Sequence, residues 1–289
     1  MQLLDGVKVS EEILKEIQSE VAARVQNNNK VPHLAAILVG EDPASQTYVA
    51  SKVKTCDFLG FKSTLSRLAP DTTEAELLAL IETYNADSDI DGILVQLPLP
   101  KHISEDKVIN TIHPEKDVDG FHPNSIGKMV LGQDTFIPAT PNGIMMMLQH
   151  YGIDTVGKHC VVIGRSNIVG TPMSLLMSRN TNPGNCTVTL THSKTKNLKE
   201  LCLEADIIVA AIGRPKYVTA DMVKEGAIIV DVGINRIEDA TKKSGFRLVG
   251  DVDFDTVKEK ASYITPVPGG VGKMTICALM QNTLKACKD

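Results

Sequence analysis

A tyrosine and a lysine four positions apart, Tyr48 and Lys52, have the side-chain types and the spacing of a catalytic pair. On a helix, residues four apart share one face, so the phenol and the amine would lie together. Lys52 would fall in the first half of that helix, where the helix dipole disfavours an ammonium ion. A lysine whose pKa falls to about 7–8 can act as a base near neutral pH. The same spacing is also typical of an exposed helical lysine beside a half-buried tyrosine, so spacing alone leaves both interpretations open.

The residues around this pair predict the helix that positions it. Asp42 is a suitable N-cap, and Pro43 suits the first helical position because no intrahelical partner exists there for an N–H group. Apolar residues follow at helical spacing, and Gly60 is a natural stop. We therefore expect a helix between Pro43 and Gly60.

The composition indicates a globular protein of two domains without a nucleic-acid or membrane partner. The chain has 289 residues, of which 43% are hydrophobic, and its formal net charge is -5. It contains no block of like charges and no apolar run near the ~20 residues of a membrane span. Its first residues do not resemble a signal peptide.

The cysteines and histidines predict neither a disulfide framework nor a metal site. None of the seven histidines is paired at ligand spacing, and the six cysteines have no close-spaced pairing. Such cysteines are typical of reduced, buried thiols in a cytoplasmic protein. The cysteines are Cys56, Cys160, Cys186, Cys202, Cys277 and Cys287.

Alternating strand and helix patterns in the first half predict a parallel sheet between helices. The predicted strands are 34–39, 62–68 and 92–95, and the predicted helices are 9–25 and 74–84. Gln96 would lie at the carboxyl end of the last strand, where such sheets bind ligands. The segment Lys116–Asn124 then reads as an ordered loop with two carboxylates, Asp117 and Asp119. They fit a ligand site and ordinary Asx-turn chemistry equally well.

The second half opens with the pattern of a dinucleotide-binding fold. A predicted buried strand, His159–Ile163, is followed by the glycine turn Gly164–Gly170 and a helix starting near Pro172. Backbone amides and the helix N-terminus of such a turn can bind a phosphate. Arg165 interrupts the usual glycine spacing, so a tight turn in an ordinary parallel sheet is the alternative.

The residues after the next strand favour NADP over NAD. That strand, Thr187–Leu190, is followed by Ser193 and Lys194, where an NAD-specific fold usually places an acidic residue on the ribose hydroxyls. Together with Arg165, these side chains would suit the 2′-phosphate of NADP. Further strands are predicted at 206–211, at 227–233 and, at the sheet edge, at 248–253.

A glycine-rich segment, Thr265–Thr275, precedes the last predicted helix, Ile276–Leu284. We expect a rigid loop that lies close to a ligand, with a flexible linker as the alternative. We expect the last helix to return to the first domain. The predicted fold is thus α/β with two α/β domains, the second a Rossmann-like parallel-sheet dinucleotide-binding domain. Residues 1–140 with 267–289 would form the first and 141–266 the second.

Seven segments resemble, in order, the bifunctional methylenetetrahydrofolate dehydrogenase/cyclohydrolase family, and they span almost the whole chain. The matching segments are Ser45–Lys52, Gly92–Pro100, Lys116–His122, Gly164–Pro172, His192–Thr195, Asp231–Asn235 and Thr265–Gly272. The resemblance implies oxidation of 5,10-methylenetetrahydrofolate with NADP⁺ and hydrolysis of the 5,10-methenyl product to 10-formyltetrahydrofolate. It also implies a homodimer formed through the cofactor domains.

The resemblance implies roles for individual residues. Lys52 corresponds to the catalytic lysine, Gln96 to the glutamine that orients it, and Tyr48 to the tyrosine that packs on the folate. Asp119 corresponds to the aspartate that binds the pterin. The other folate-binding positions are Pro268, Gly269 and Gly270, and the cofactor-binding positions are Gly164, Arg165, Ser166, Ser193 and Ile234.

Three other functions fit parts of the sequence. Short-chain dehydrogenases also use a Tyr-x-x-x-Lys pair, but their glycine turn precedes the pair, whereas here it follows. A monofunctional dehydrogenase that lacks the hydrolytic step fits the same residues. A non-catalytic sensor of NADP or folate does not need a base, and the presence of both Lys52 and Gln96 argues against it.

Two positions depart from the family pattern. Ala139 stands where the family usually has cysteine, and Lys273 stands where proline usually follows the glycine loop. Lys273 adds a charge and removes a φ constraint beside the loop. We predict that Lys273→Pro changes the KM for folate or for NADP⁺ without abolishing activity. Steady-state kinetics with each substrate varied would test this, and two unchanged KM values would contradict it.

Overall fold

The structure is a computed structural model that describes residues 1–242 and 245–288. Its elements in chain order are β1 (Gln2–Leu3), α1 (Gly6–Gln26), β2 (His33–Val39), α2 (Pro43–Leu59), β3 (Lys62–Leu68), α3 (Glu74–Ala86), β4 (Gly92–Val95), α4 (Glu105–Thr111), α5 (Pro123–Val130), α6 (Ala139–His150), β5 (His159–Ile163), α7 (Gly170–Ser178), β6 (Thr187–Thr191), α8 (Leu198–Glu204), β7 (Ile207–Ala210), a 3₁₀ turn (Ala220–Met222), β8 (Ile228–Asp231), β9 (Asn235–Glu238), β10 (Phe246–Val249), α9 (Phe254–Val257), β11 (Tyr263–Ile264) and α10 (Val271–Ala286). No helix in the described ranges is long and apolar enough to cross a membrane.

The chain forms two compact units, each with its own parallel sheet. The three-strand unit comprises Glu12–Ala139 and the chain from Ile276 onward. The six-strand unit comprises Met1–Glu11 and Thr140–Thr275. The predicted α/β fold with two α/β parts is confirmed.

The three-strand unit has the strand order β3-β2-β4, with β2 parallel to both neighbours. All seven residues of β2 are buried, and the last six, Leu34–Val39, are apolar, because helices cover both faces of such a sheet. The α2 prediction is confirmed at both ends: the Asp42 carboxylate accepts the Ser45 N–H at 2.7 Å, and Gly60 adopts the left-handed conformation at φ 78°. The predicted return of the last helix is also confirmed, since Asn282 on α10 donates to the Val118 carbonyl at 2.8 Å.

The six-strand unit has the order β1-β11-β8-β7-β5-β6, and every pair in it is parallel. Strands β5, β7 and β8 lie side by side in the order β8-β7-β5, and most of their residues are buried valine and isoleucine. Strand β5 lies between β6 and β7, so connections leave it in both directions along the sheet. This is the doubly wound arrangement in which ligands bind outside the carboxyl ends of the strands.

The strand predicted at 248–253 is wrong in position and in partner. The observed strand β10 ends at Val249 and pairs antiparallel with β9 in a separate two-stranded ribbon. The next residues cannot continue a strand, because the Asp231 carboxylate accepts the N–H groups of Asp251 and Val252 at 2.8 and 3.0 Å. The Asp231 carboxylate therefore accepts two backbone N–H groups that would otherwise donate to a neighbouring strand.

Thr140 lies inside α6, where its hydroxyl contacts that of Thr275 at 3.0 Å. Two predicted helix starts differ from the structure. Helix α10 begins at Val271, so Gly272 and Lys273 belong to its first turn and the glycine loop ends earlier than predicted. Helix α7 begins at Gly170, two residues before the predicted proline. First-turn N–H groups have no intrahelical partner, so glycine and proline near a helix start shift the apparent boundary.

The turn after β5 gives a prediction about stability. A Cβ at Gly164 would overlap the carbonyl oxygen of Ala211, and its φ is 111°. Gly157 is also at positive φ, 71°, but a Cβ there would meet nothing within 4 Å. We expect Gly164→Ala to lower the free energy of unfolding by about 1–3 kcal/mol more than Gly157→Ala, because overpacking adds to backbone strain. Urea denaturation of both variants measures this, and equal losses would contradict it.

Candidate active site

The amine of Lys52 is buried against the side chain of Gln96. Lys52 is 7% exposed, and its Nζ donates a hydrogen bond of 3.0 Å to Gln96 Oε1. The backbone N–H of Gln96 donates to the Ile37 carbonyl at 2.9 Å, which fixes Gln96 at the carboxyl end of β4. The predicted positions of both residues are confirmed, and the exposed-lysine alternative is wrong.

The amide of Gln96 is oriented by its own backbone neighbour. Gln96 Nε2 donates to the Leu97 carbonyl at 2.6 Å, so Oε1 points away from that carbonyl and toward Lys52. A glutamine amide has one donor end and one acceptor end, and this arrangement satisfies both. Gln96 Oε1 thereby holds Lys52 Nζ through one hydrogen bond.

Burial and the Asp119 carboxylate act on the pKa of Lys52 in opposite directions. Burial lowers the pKa of Lys52, and the Asp119 carboxylate opposes that change. Burial likewise raises the pKa of Asp119, while Lys52 lowers it. In both groups burial is the larger effect, so the pKa of Lys52 is lowered and that of Asp119 is raised. A neutral amine is the form of lysine that can accept a proton.

The loop that carries Asp119 is held by its other carboxylate. Asp117 is 2% exposed and accepts the N–H groups of Phe121 and His122 at 3.1 and 2.8 Å, and the Ser125 hydroxyl at 2.9 Å. Burial raises its pKa to about 7 although these donors lower it. Asp117 therefore supplies the turn chemistry, and the side chain of the half-buried Asp119 is left to interact with Lys52.

Tyr48 lies one helical turn before Lys52 on α2 and is half-buried. Burial raises the pKa of its phenol, so the ring is present as a neutral aromatic group at neutral pH. The three-strand unit thus brings four predicted residues, Tyr48, Lys52, Gln96 and Asp119, onto α2, the end of β4 and the adjoining loop.

The glycine turn after β5 is shaped by close backbone contacts. A Cβ at Gly164 would overlap the Ala211 carbonyl oxygen, and one at Gly170 would overlap the carbonyl oxygen of Gly164. Only glycine fits either position, so the chain can pass directly from β5 into α7. The residues between them, Arg165 to Ile168, are exposed at the sheet edge.

Ser166 has a contact that the sequence did not predict. Its Oγ accepts the N–H groups of Val169 and Gly170 at 3.2 and 3.3 Å, and its carbonyl accepts the N–H of Thr171 at 3.0 Å. Ser166 therefore caps the start of α7 with its own side chain. The expectation that the turn and this helix N-terminus bind a phosphate through their amides stays a prediction, and Ser166 accepts two of those amides, from Val169 and Gly170, with its side chain.

Arg165 and Ser193 follow two adjacent strands at the same edge of the sheet. Ile163 is paired with Thr191 in the β5–β6 register, and both predicted residues lie two positions past that pair. Both side chains are exposed, as is that of Lys194. The two positive charges and the hydroxyl therefore lie at one end of one strand pair, as the sequence indicated.

The remaining predicted positions also lie in the six-strand unit. Ile234 follows β8 and is 41% exposed. Pro268, Gly269 and Gly270 follow β11, and the Val7 N–H donates to the Gly269 carbonyl at 3.1 Å. The structure does not bring these three loop residues together with Lys52 inside one unit.

Several residues with polar contacts at these sites escaped the sequence analysis. Asp231 and Asp251 are 3% and 0% exposed, and both accept backbone N–H groups from loops at the strand ends. Burial raises the pKa of Asp231 to about 7. The sequence signals for these residues are weak: Asp231 follows a run of apolar strand residues, and Asp251 follows Gly250. Across residues 1–242 and 245–288, no group of three His, Cys, Asp or Glu side chains could hold a metal ion.

Two family profiles match this chain. The catalytic domain of tetrahydrofolate dehydrogenase/cyclohydrolase matches residues 4–119, and the NAD(P)-binding domain of the same family matches residues 138–289. The chain belongs to the tetrahydrofolate dehydrogenase/cyclohydrolase family. The resemblance inferred from the seven segments is confirmed.

Full-length relatives support this assignment. A "Bifunctional protein FolD" of Cytophaga hutchinsonii is 64% identical over 286 residues, which cover 99% of each chain. The crystal structure of the bifunctional FolD methylenetetrahydrofolate dehydrogenase/cyclohydrolase from Campylobacter jejuni is 49% identical, with a TM-score of 0.92 over 99% of this chain and 98% of that one. The Trypanosoma brucei FolD structure, complexed with NADP cofactor and an inhibitor, is 36% identical, with a TM-score of 0.92 over 98% and 95%.

The environment of Lys52 gives a testable pKa prediction. Gln96→Glu would replace the neutral acceptor at 3.0 Å from Nζ with a carboxylate, which favours the ammonium form. We expect the pKa of Lys52 to rise, so that the NMR titration of its side-chain Cε signal moves to higher pH. Gln133→Glu, an exposed position in the same unit, adds the same charge as a control. A titration midpoint that is unchanged in both variants would contradict the electrostatic account.

Proposed function

We propose that this chain is a bifunctional folate enzyme that oxidises 5,10-methylenetetrahydrofolate to the 5,10-methenyl form with NADP⁺ and hydrolyses that product to 10-formyltetrahydrofolate. The observation that carries the proposal is the buried Lys52 amine, held by Gln96 and next to the Asp119 carboxyl. The same chain carries a dinucleotide-type turn after β5. A binding protein gains nothing from a buried lysine with a lowered pKa, whereas a hydrolytic step needs a base.

The six-strand unit carries residues that fit NADP. The donor set at the ends of β5 and β6 consists of Arg165, Ser193 and Lys194, without an acidic residue to bind a ribose hydroxyl pair. We infer that Arg165, Ser166 and Ser193 bind the 2′-phosphate, with Gly164 allowing close approach of the backbone and Ile234, after β8, contacting the dinucleotide. Ser166 also caps α7 and so holds the turn in shape. NADP⁺ supplies the hydride acceptor when bound.

The first step requires orientation more than proton transfer. The methylene carbon lies between two nitrogens, and loss of hydride leaves a cation delocalised over the amidine. We infer that Asp119 binds the pterin and that Tyr48 packs along the folate, so both residues hold the carbon in place. A cation formed near Lys52 would itself favour the neutral amine.

The second step requires proton transfers, and Lys52 is the group that can carry them. Water attacks the methenyl carbon, one C–N bond opens, and a proton must leave the water while another reaches the departing nitrogen. We infer that the neutral amine of Lys52 takes the first proton, with Gln96 keeping Nζ in position. Asp119 beside it would stabilise the resulting ammonium ion.

Other parts of the proposal rest on the resemblance to the family. We infer that Pro268, Gly269 and Gly270 contribute to folate binding, that residues 1–140 with 267–289 form the folate-binding catalytic domain, and that 141–266 bind NADP. We also infer a homodimer formed through the cofactor domains. We place the protein in the cytoplasm, where all six of its cysteines, free and buried in this structure, would stay reduced.

A spectrophotometric assay with 5,10-methylenetetrahydrofolate, run with NADP⁺ and NAD⁺ in parallel, tests the function. Acidification of aliquots converts any 10-formyl product back to the methenyl form, so the gain in methenyl absorbance measures the 10-formyl product. NADPH formation with mostly 10-formyl product, above the rate in buffer alone, supports both activities. Accumulating methenyl product would reduce the function to a dehydrogenase, and a folded protein without turnover would favour a non-catalytic sensor.

The role of Lys52 gives a second prediction. We expect Lys52→Met to reduce the hydrolysis of supplied 5,10-methenyltetrahydrofolate by at least about 100-fold, the usual contribution of a general base, and to reduce hydride transfer less. Lys54→Met changes an exposed lysine of the same helix and serves as the control. Near-normal hydrolysis by the Lys52 variant would remove this residue from the mechanism.

A further inference from the structure

A fully buried carboxylate, that of Asp251, binds the loop that follows β7. Its Oδ2 accepts the N–H groups of Ile212 and Gly213 at 2.7 and 2.9 Å, and its Oδ1 accepts that of Arg214 at 2.8 Å. The same Oδ1 accepts a hydrogen bond from Asn235 Nδ2, at the start of β9, at 2.9 Å. Asp251 is 0% exposed, so four donors compensate the burial of its carboxylate.

Asp231 forms the other half of the same network. Its Oδ1 accepts the N–H groups of Gly233 and Asp251 at 3.0 and 2.8 Å, and its Oδ2 accepts that of Val252 at 3.0 Å. Its own N–H donates to the hydroxyl of Thr265, where the glycine-rich loop begins, at 2.7 Å. Asp231 and Asp251 therefore connect the loops that leave β7, β8 and β11.

Two glycines make room for the two carboxylates. A Cβ at Gly250 would overlap the Asp231 carboxylate, and one at Gly233 would overlap that of Asp251. The backbone of each loop thus lies directly against a buried acid. We call Asp231, Asp251 and the amides that they accept the aspartate clamp.

The aspartate clamp and the residues that suit the 2′-phosphate follow different strands of the same sheet. Arg165 and Ser193 follow β5 and β6, whereas the clamped loops, 212–214 and 233–235, follow β7 and β8. The strand order β8-β7-β5-β6 separates β6 from β8 by three spacings, about 14 Å at ~4.8 Å each. A dinucleotide that lies outside the carboxyl ends of the strands, with its 2′-phosphate at β5 and β6, would extend toward the clamped loops.

We propose that Asp231 and Asp251 are positioning residues that hold the loops 212–214 and 233–235 in the shape that binds the half of NADP distant from its 2′-phosphate. The proposal rests on the proposed function and adds to it two residues that act through Ile234 and its neighbours. Ile234 lies between Gly233 and Asn235, which donate to Asp231 and to Asp251 respectively. Fixing both neighbours fixes the backbone of Ile234.

Binding of two nucleotides to Asp251→Asn tests the proposal. The amide would place an N–H₂ group against donors that now face a carboxylate oxygen, so the clamped loops should lose their shape. By isothermal titration calorimetry we expect the Kd for NADP⁺ to rise at least about tenfold, as the loss of one such hydrogen bond predicts. We expect the Kd for adenosine 2′,5′-bisphosphate, which carries only the 2′-phosphate half, to change by less than about twofold.

Three controls keep the outcome interpretable. Asp255→Asn makes the same change at an exposed position and should leave both Kd values unchanged. An unchanged far-UV circular dichroism spectrum of Asp251→Asn shows that the variant is folded. If Asp251→Asn does not fold, Asn235→Ala removes a single donor to the Asp251 carboxylate and should weaken NADP⁺ selectively in the same way.

The outcomes separate this proposal from the proposed function. Wild-type protein that binds neither nucleotide would overturn the proposed function. Wild-type protein that binds both, with NADP⁺ equally tight in Asp251→Asn, would overturn the positioning role alone. If Asp251→Asn weakens the binding of both nucleotides equally, lowers the melting temperature and abolishes hydrolysis, the role of Asp251 is purely structural. That result would also overturn the positioning role.

Discussion

The burial of one amine, that of Lys52, is the constraint on which the three-strand unit depends. A buried ammonium ion costs free energy, so the site either neutralises it or supplies partners. Here both occur: burial lowers the pKa of Lys52, Gln96 accepts its hydrogen bond at 3.0 Å, and Asp119 lies close enough to raise the pKa again. The Asp42 cap of α2, the end of β4 and the loop held by Asp117 each fix one member of this group.

Buried aspartates solve the same problem at the ends of strands. Where a parallel strand stops, the N–H groups of the next residues have no ladder partner and must find another acceptor. Asp231 and Asp251 supply it in the six-strand unit, and in the three-strand unit Asp117 accepts N–H groups of its own loop, those of Phe121 and His122. In each case an aspartate, a residue type common in catalytic sites, holds the shape of a loop that carries a candidate functional residue.

Glycine decides how closely these loops can approach each other. Gly164 and Gly170 bring the turn after β5 against neighbouring carbonyl groups, and Gly233 and Gly250 admit the two buried carboxylates. None of these four contacts could be read from the glycine spacing, which only indicated a turn. The spacing at Arg165 departs from the usual dinucleotide pattern, yet the strand, turn and helix around it are those of the usual fold.

The sequence by itself determined many of the elements. Apolar strand patterns and the Asp42–Pro43 start placed β2, β3, β4, β5 and α2 almost to the residue, because those signals are local. The sequence also singled out Lys52, Gln96 and Asp119 as site candidates, and the structure places Lys52 against Gln96. Only the tertiary structure decided which carboxylate serves which purpose, that Ser166 caps α7, and that residues 250–253 form no strand of the six-stranded sheet. These outcomes depend on hydrogen bonds between residues far apart in the chain, and local patterns carry no information about such partners.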